Sequence, residues 1–261
     1  MLDLKIINSN LKTNSIGKAI LQFDEIDSTN NYLKNLKLNE AIDGLVVQSE
    51  FQTNGHGRFN RVWNSNKGEN LLFSVLLKNN FSQSITLIPL LTSLAVANAI
   101  DIIANTNTEC KWPNDVILNN KKICGILIEN CKIDFDEFII IGIGVNVNQI
   151  IFPDEIENKA TSILKEIGKI VSRENLLSEI LNFLELYLIK LQKSEAVNLI
   201  DEWKNKSTMF NKIISVNLFD QVLNGKAIEI NQNGSLVFET LDGKRETLIS
   251  GEVTLHSYYQ R

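Results

Sequence analysis

The chain has few of the residues that build metal sites and disulfide bonds. Its 261 residues include three cysteines and two histidines. Cys110, Cys124 and Cys131 are odd in number and lack CxxC spacing, which favours reduced structural thiols. Because His56 and His256 are the only imidazoles and no cysteines are paired in the sequence, we do not expect a zinc site built by the protein.

The chain also has fewer basic residues than acidic ones, 26 against 31. The formal net charge is -5 and the pI is about 5.2, so the surface lacks the basic field that attracts nucleic acids and anionic lipids. Any anion site must therefore be a local cluster of cations. The N-terminus carries an acid at Asp3 and lacks the basic start and apolar core of a secretory signal, so we expect a cytoplasmic protein.

The chain also lacks a long apolar run free of polar residues. Its most apolar stretch, 85–104, contains Thr86, Pro89, Asn98 and Asp101. These residues suit a buried core helix better than a membrane span. We therefore expect no membrane partner.

What is present is the composition of an ordinary globular protein, with 44% hydrophobic and 22% charged residues. Apolar runs at 45–47, 71–77 and 138–147 predict strands, and the periodicity of 85–104 and 175–191 predicts helices. This mixture predicts an α+β fold in which helices pack on a mixed β-sheet.

The pattern changes near residue 212, where short alternating strands begin. Three dipeptides typical of hairpin turns separate these strands: Asn224-Gly225, Asn233-Gly234 and Asp242-Gly243. We therefore expect two domains, a large one at 1–210 and a small β-barrel at 211–261.

The segment 109–128 combines dense polarity with an apolar surround. Lys111, Asn114 and Asp115 lie in a predicted strand-turn-strand unit, and Lys122 and Gly125 follow in the next strand. A hairpin would let the two lysines approach each other. Two like charges held together indicate an anion-binding site.

The polar loop 52–66 is a second candidate anion site. Gly55 and Gly57 let backbone amides approach a ligand, while Arg58 and Arg61 provide donors that suit phosphate or carboxylate. A flexible, solvated loop is the alternative. A P-loop is excluded, because no GKS or GKT sequence follows.

Two further motifs have a structural and a functional interpretation. Ser28 or Thr29 can cap the helix that follows, and the free N–H groups of that helix can face a ligand. Residues 142–147 look like a dinucleotide fingerprint, but the third glycine is absent and a strand continues, which excludes a Rossmann site. Asn146 at the end of this strand either binds a ligand or satisfies a turn.

Taken in order, these motifs resemble the biotin protein ligase family. The matching segments are DSTN at 27–30, GHGRFNRVW at 55–63, KWPNDV at 111–116 with Lys122 and Gly125, GIGVNVN at 142–148, and SGEV at 250–253. The resemblance implies a catalytic domain of the class II synthetase type with a C-terminal SH3-like barrel. It also implies a ligase that makes biotinyl-5'-AMP from biotin and ATP, then transfers biotin to a lysine of a biotin carboxyl carrier protein.

The resemblance also implies roles for individual residues. Catalysis would depend on Arg58, Lys111, Asp115 and Lys122. The biotin site would contain Ser28, Thr29, Asn30, Gln52, Gly55, His56, Gly57, Arg58, Lys122 and Gly125. The ATP or adenylate site would contain Arg58, Arg61, Trp63, Lys111, Asn114 and Asn146. Mg²⁺ would come with the ATP phosphates, and Asp115 would either help hold it or orient the acceptor lysine.

Two positions depart from the family pattern. His56 stands where the family most often has arginine, and Asn60 stands where glycine is common. Their side-chain roles are therefore open, and we expect backbone groups to do most of the binding at position 56.

Other functions are weighed against the same residues. Family members that repress transcription carry a winged-helix domain before the DSTN-like motif, and 26 residues before Asp27 are too few for one, so no DNA partner is expected. A lipoate or octanoate ligase or transferase would share the scaffold, but the paired GHGR and KWPND motifs favour biotin. A non-catalytic binding protein is disfavoured by the cluster of Lys111, Asp115 and Lys122. Family members often form homodimers, which the sequence leaves open.

Overall fold

A computed structural model of the protein describes residues 1–81, 84–193, 195–218 and 221–255. The predicted second domain, 211–261, extends past the described residues, and His256 lies outside them.

The described residues form seven α-helices and twelve β-strands. The helices are α1 (Leu4–Asn10), α2 (Thr29–Lys34), α3 (Ile88–Ala104), α4 (Asp154–Glu157), α5 (Ile163–Ile167), α6 (Arg173–Gln192) and α7 (Ala196–Asn205). The strands are β1 (Ile20–Phe23), β2 (Val46–Ser49), β3 (Leu71–Lys78), β4 (Glu109–Lys111), β5 (Asp115–Leu118), β6 (Lys121–Ile133), β7 (Asp136–Val145), β8 (Ile213–Leu218), β9 (Gln221–Ile230), β10 (Leu236–Thr240), β11 (Arg245–Leu248) and β12 (Glu252–Leu255).

The first seven strands form a mixed sheet in the order β1-β2-β3-β7-β6-β5-β4. Strands β1 and β2 run parallel, and the other pairs are antiparallel. Helices α3 and α6 pack together over one face, while α2 contacts β2, β3 and β7. The predicted α+β class with a mixed sheet is confirmed.

Helix α3 is the centre of the core. The stretch Ile85–Ala104 is long and apolar enough to cross a membrane by length and composition, but 67% of its apolar window is buried inside the protein. Its polar groups bond within the fold: Thr92 donates to the Ile88 carbonyl, and Asn98 donates to the Tyr187 hydroxyl of α6. These contacts agree with the core helix predicted from the sequence.

The three cysteines are free thiols, as predicted. Cys110 and Cys124 are buried in the first sheet, and burial raises the pKa of the Cys110 thiol to about 12. Such a thiol remains protonated near neutral pH and packs as a small apolar group.

A second, antiparallel sheet has the strand order β11-β10-β9-β8-β12. Two of its predicted turns are confirmed, since Asn233-Gly234 joins β9 to β10 and Asp242-Gly243 joins β10 to β11. Both glycines have positive φ, at 78° and 84°, which their turns require. The indole N–H of Trp112 donates to the Gly234 carbonyl, which attaches this sheet to the KWPND segment.

The prediction of a turn at Asn224-Gly225 is wrong. Both residues lie inside β9, where Gly225 pairs with Ile214 on one side and Thr240 on the other. A Cβ at Gly225 would collide with the Glu239 carbonyl oxygen. The glycine therefore serves a close approach between strands, a use that Asn-Gly in isolation does not distinguish from a turn.

We expect Gly225→Ala to destabilise the protein by about 1–3 kcal/mol, because the added methyl must displace backbone on β10. Urea unfolding measures the loss. Gly243→Ala is the matched control: a Cβ there meets nothing within 4 Å, so only the strain of its positive φ remains. Equal stability of Gly225→Ala and the wild type would contradict the packing role.

Candidate active site

A cavity of about 310 Å³ opens on the face of the first sheet that carries α2. The predicted site residues that line it come from five separate segments. They are Ser28, Thr29, Asn30, Gln52, His56, Gly57, Arg58, Arg61, Trp63, Lys111, Asn114, Asp115, Lys122, Gly125 and Asn146. Gly55 does not line the cavity: it lies behind the Gln52 side chain and accepts a hydrogen bond from Trp63 N–H at 2.9 Å.

Three glycines form the floor of the cavity. Gly125 of β6 pairs with Gly144 of β7, and a Cβ on either would lie within 3 Å of the Trp63 ring. A Cβ on Gly142 would collide with the Asn30 side-chain amide. The missing side chains therefore let an indole and an amide rest directly on the sheet.

Lys111 and Lys122 meet through a shared carboxylate. Asp115 pairs with Lys111 across β4 and β5, and its side chain lies 2.6 Å from Lys122 Nζ and 3.5 Å from Lys111 Nζ. The sequence predicted that the lysines approach each other; the structure adds that Asp115 lies between them.

Electrostatics keep the Asp115 carboxylate ionised. Burial alone would raise the pKa of the Asp115 carboxyl, but the two lysines outweigh burial and hold that pKa below its usual range. Lys122 remains 35% exposed, and its ammonium lies 5.8 Å from the centre of the Trp63 ring. The site thus holds two cations in place at the cavity before any ligand arrives.

The loop 55–63 is a short hairpin. Gly57 N–H donates to the Arg61 carbonyl, Trp63 N–H donates to Gly55, and His56 forms a β-bridge with Val62. At the turn, Phe59 and Asn60 both have positive φ, at 57° and 54°. Asparagine tolerates this conformation better than phenylalanine does, so the tip is a strained turn, unlike a freely solvated loop.

Both arginines of this hairpin reach the second sheet. Arg58 Nη1 donates to the Gly251 carbonyl at 3.0 Å and to the Asn114 side chain at 3.3 Å. Arg61 forms an ion pair with Glu252. Burial lowers the pKa of Arg58 despite the nearby carboxylates, but a guanidinium stays charged. The SGEV segment therefore closes one side of the cavity.

The start of α2 has both of the roles considered from the sequence. The Ser28 hydroxyl caps the helix by accepting from Asn31 N–H at 3.4 Å, and Ser28 also lines the cavity. Thr29 N–H and Thr29 Oγ1 lie 2.7 and 3.0 Å from Gln52 Oε1. Because this oxygen is engaged, the amide nitrogen of Gln52 is the group left to face a ligand.

Five buried side-chain polar atoms lack a hydrogen-bond partner within the described part of the chain, and two of the five belong to residues that line the cavity. These two atoms are Asn146 Oδ1 and Trp63 Nε1. Asn146 Nδ2 donates to the Thr161 carbonyl, which leaves its oxygen as the free end. A buried polar group without a partner is costly, so these atoms indicate contacts that a ligand completes.

Sequence reasoning missed an apolar wall of the cavity. Phe152, Ile156 and Ala160 line it from the segment around α4. Their spacing of four residues is a helical pattern that could have indicated a shared face.

Comparisons with known proteins agree with this geometry. The Biotin/lipoate A/B protein ligase family matches residues 22–146. The bifunctional ligase/repressor BirA of Bacillus spizizenii is 32% identical over 253 residues, which cover 95% of this chain and 78% of that protein. The chain belongs to the biotin protein ligase family. The predicted resemblance is confirmed, and the enzyme class is that of a ligase.

Relatives within the biotin protein ligase family extend over most of the chain. The biotin–[acetyl-CoA-carboxylase] ligase of Mycobacterium tuberculosis is 28% identical over 250 residues, which cover 92% of this chain and 91% of that enzyme. A biotin protein ligase from Aquifex aeolicus, solved in complex with biotin and ATP, is 29% identical with a TM-score of 0.82 and covers 92% of this chain and 99% of that one.

Proposed function

We propose that this ligase activates biotin with ATP to give biotinyl-5'-AMP and pyrophosphate, and then transfers biotin to a lysine of a biotin carboxyl carrier protein in the cytoplasm. The observation that carries the proposal is the placement of Lys111 and Lys122 on Asp115 at a cavity also lined by Arg58 and Arg61. A carboxylate that attacks an α-phosphate meets several negative charges, and fixed cations offset that repulsion in the transition state.

The biotin ring belongs at the α2 end of the cavity. A cyclic urea offers two N–H donors and one carbonyl acceptor, and Ser28, Thr29, Asn30 and Gln52 present hydroxyl and amide groups there. Backbone groups from His56 to Arg58 would close over the ring. The carboxylate would then point toward Lys122, and Gly125 leaves room beside it.

The nucleotide belongs at the opposite end, near Asn146 and Trp63. The free Asn146 oxygen can accept a hydrogen bond from the amino group of adenine, and an indole face suits a purine ring. Arg58, Arg61 and Lys111 would face the phosphates, with Asn114 holding Arg58 in place. This arrangement brings the α-phosphate to the biotin carboxylate near Lys122.

Asp115 fits a role in positioning lysines better than a role as a metal ligand. Both of its oxygens already face ammonium groups, and no group of three His, Cys, Asp or Glu side chains that could hold a metal occurs among the described residues. The residues therefore do not fit a magnesium site built by the protein. We propose that Mg²⁺ enters bound to the ATP phosphates.

The second sheet, within the proposed domain 211–261, would be the SH3-like domain of the family. Gly251 and Glu252 bond to Arg58 and Arg61, so this domain would help hold the hairpin over the intermediate. A mixed anhydride is easily hydrolysed, and a closed hairpin would exclude water from it.

ATP–pyrophosphate exchange tests the proposal, with biotin, lipoate and octanoate offered separately to the purified protein and Mg²⁺. Exchange that depends on biotin alone supports it, and mass detection of biotinyl-AMP identifies the intermediate. Exchange with lipoate or octanoate would assign the protein to the lipoate side of the family. Absence of exchange with every acid would leave a binding protein.

His56→Ala should have a mild effect, with biotin affinity reduced by less than about 1 kcal/mol. The imidazole contacts the Asn54 carbonyl at 3.1 Å, and the binding groups at this position are backbone atoms. Titration calorimetry with biotin measures the change. A loss of about 3 kcal/mol or more would show that the imidazole itself holds biotin.

A further inference from the structure

A row of hydrogen-bonded side chains connects β6 to the cavity. Glu129 Oε2 accepts from Asn30 Nδ2 at 2.7 Å, and Asn30 Oδ1 accepts from the Ser74 hydroxyl. Ser74 Oγ lies 2.7 Å from Thr29 Oγ1, which in turn contacts Gln52. Thr29, Asn30 and Gln52 line the cavity, whereas Glu129 and Ser74 stand behind it.

The sheet register places these groups side by side. Ser74 of β3 pairs with Gly142 of β7, which pairs with Leu127 of β6. Glu129 is two residues beyond Leu127 and so points to the same face. The Asn30 amide lies over Gly142, between Ser74 and Glu129, in space that any larger residue at 142 would fill.

Glu129 is held as an anion. Burial would raise the pKa of its carboxyl, but hydrogen bonds from Lys34 and Asn30 and the charges of Lys34 and His56 outweigh burial and hold that pKa below its usual range. Lys34 Nζ lies 2.7 Å from Glu129 Oε1. An ionised carboxylate only accepts hydrogen bonds, so the nitrogen of the Asn30 amide must face it.

The orientation of the Asn30 amide fixes the hydrogen bonds of Ser74 and Thr29 in turn. With its nitrogen toward Glu129, Asn30 turns its oxygen toward Ser74, and Ser74 donates its single hydrogen there. Ser74 has no second hydrogen, so its 2.7 Å contact with Thr29 requires the Thr29 hydroxyl to donate. The single hydrogen of that hydroxyl then points away from Gln52 Oε1, which keeps its hydrogen bond from Thr29 N–H. The Glu129 carboxylate, which lies outside the cavity, thus determines which group donates and which accepts at the Ser74 and Thr29 hydroxyls.

We infer that Glu129 is a positioning residue, which through Asn30 and Ser74 fixes the direction in which the Thr29 hydroxyl faces the ring of the substrate. The inference rests on the proposed function. A neutral amide at 129 can donate or accept, so the row can then run in either direction. The protein would then populate two hydrogen-bonding arrangements of the pocket, and only one of the two arrangements matches the donors and acceptor of the cyclic urea.

Glu129→Gln tests this inference in biotin-dependent ATP–pyrophosphate exchange at pH 8. We expect KM for biotin to rise about tenfold, with kcat and the KM for ATP within about twofold of wild type, because the change affects ring binding alone. Lys34→Gln is the matched control. It removes the ion pair but keeps the carboxylate beside Asn30, so KM for biotin should change by less than about twofold.

The double variant Asn30→Asp with Glu129→Gln separates positioning from packing. The carboxylate introduced at position 30 would accept from both the amide introduced at position 129 and the Ser74 hydroxyl. This restores the original direction of the row, so KM should return toward the wild-type value. An unchanged KM in Glu129→Gln, an equal loss in Lys34→Gln, or a double variant worse than Glu129→Gln would overturn the inference. A wild type without biotin-dependent exchange would instead overturn the proposed function, and the inference with it.

Discussion

Replacing Lys122 with glutamine should lower kcat/KM for biotin adenylation by about 10²–10³-fold. Both lysines of the Asp115 cluster line the cavity, but Lys122 is 35% exposed whereas Lys111 is more deeply placed at 16%. In the proposed reaction, the Lys122 ammonium would offset negative charge where the carboxylate and the α-phosphate meet. Glutamine is one atom shorter and keeps an N–H donor but removes the charge, so the loss should fall on the chemical step.

The neighbouring residue provides the control. Lys121 precedes Lys122 on β6, but its Nζ contacts the Glu157 carbonyl at 3.3 Å and it does not line the cavity. Lys121→Gln should therefore retain exchange activity within about threefold, since it alters only an exposed contact. Thermal unfolding of both variants reports on folding. A Lys122→Gln variant that folds and loses less than tenfold would show that other groups carry the charge.

The sequence predicted most of what lies within one motif or one strand. The strands that carry Lys111 and Lys122 follow from apolar runs separated by polar turns, and the structure places both lysines on Asp115. The lysines do not face each other across one hairpin, because β5 lies between β4 and β6. The cap at Ser28 was likewise a local inference, and a strand was predicted over 138–147, although β7 ends at Val145 and 146–147 are not part of it. Local patterns suffice where the partners are close in sequence.

Features that depend on distant partners were not predictable in this way. Glu252 meets Arg61 across 191 residues, and no pattern near either residue marks the pair. Gly225 was predicted as a turn because the backbone of Glu239, which requires a glycine there, lies on another strand. The role inferred for Glu129 depends on Asn30, which is 99 residues away. In each case the residue's role depends on a partner that is distant in the sequence and close only in the folded protein.

Replacing Arg58 with glycine should convert the enzyme into one that releases its activated intermediate. Arg58 connects the 55–63 hairpin to Asn114 and to Gly251, and its guanidinium lies 5.1 Å from the Phe59 ring centre. Glycine removes all three contacts and adds backbone freedom next to a turn already strained at Phe59 and Asn60. The hairpin would then open before the acceptor lysine arrives.

Release is measured by offering the variant biotin, Mg²⁺-ATP and a bystander protein such as serum albumin. We expect albumin to be biotinylated at least about tenfold faster than with wild type, because the free anhydride reacts with any accessible amine. Arg245→Gly is the control: that arginine forms an exposed ion pair with Glu239 on β10 and β11, away from the cavity. Suppose that Arg58→Gly still makes biotinyl-AMP but retains it as tightly as wild type. The contacts of Arg58 are then not what closes the hairpin, and the ion pair between Arg61 and Glu252 is the next contact with the second sheet to test.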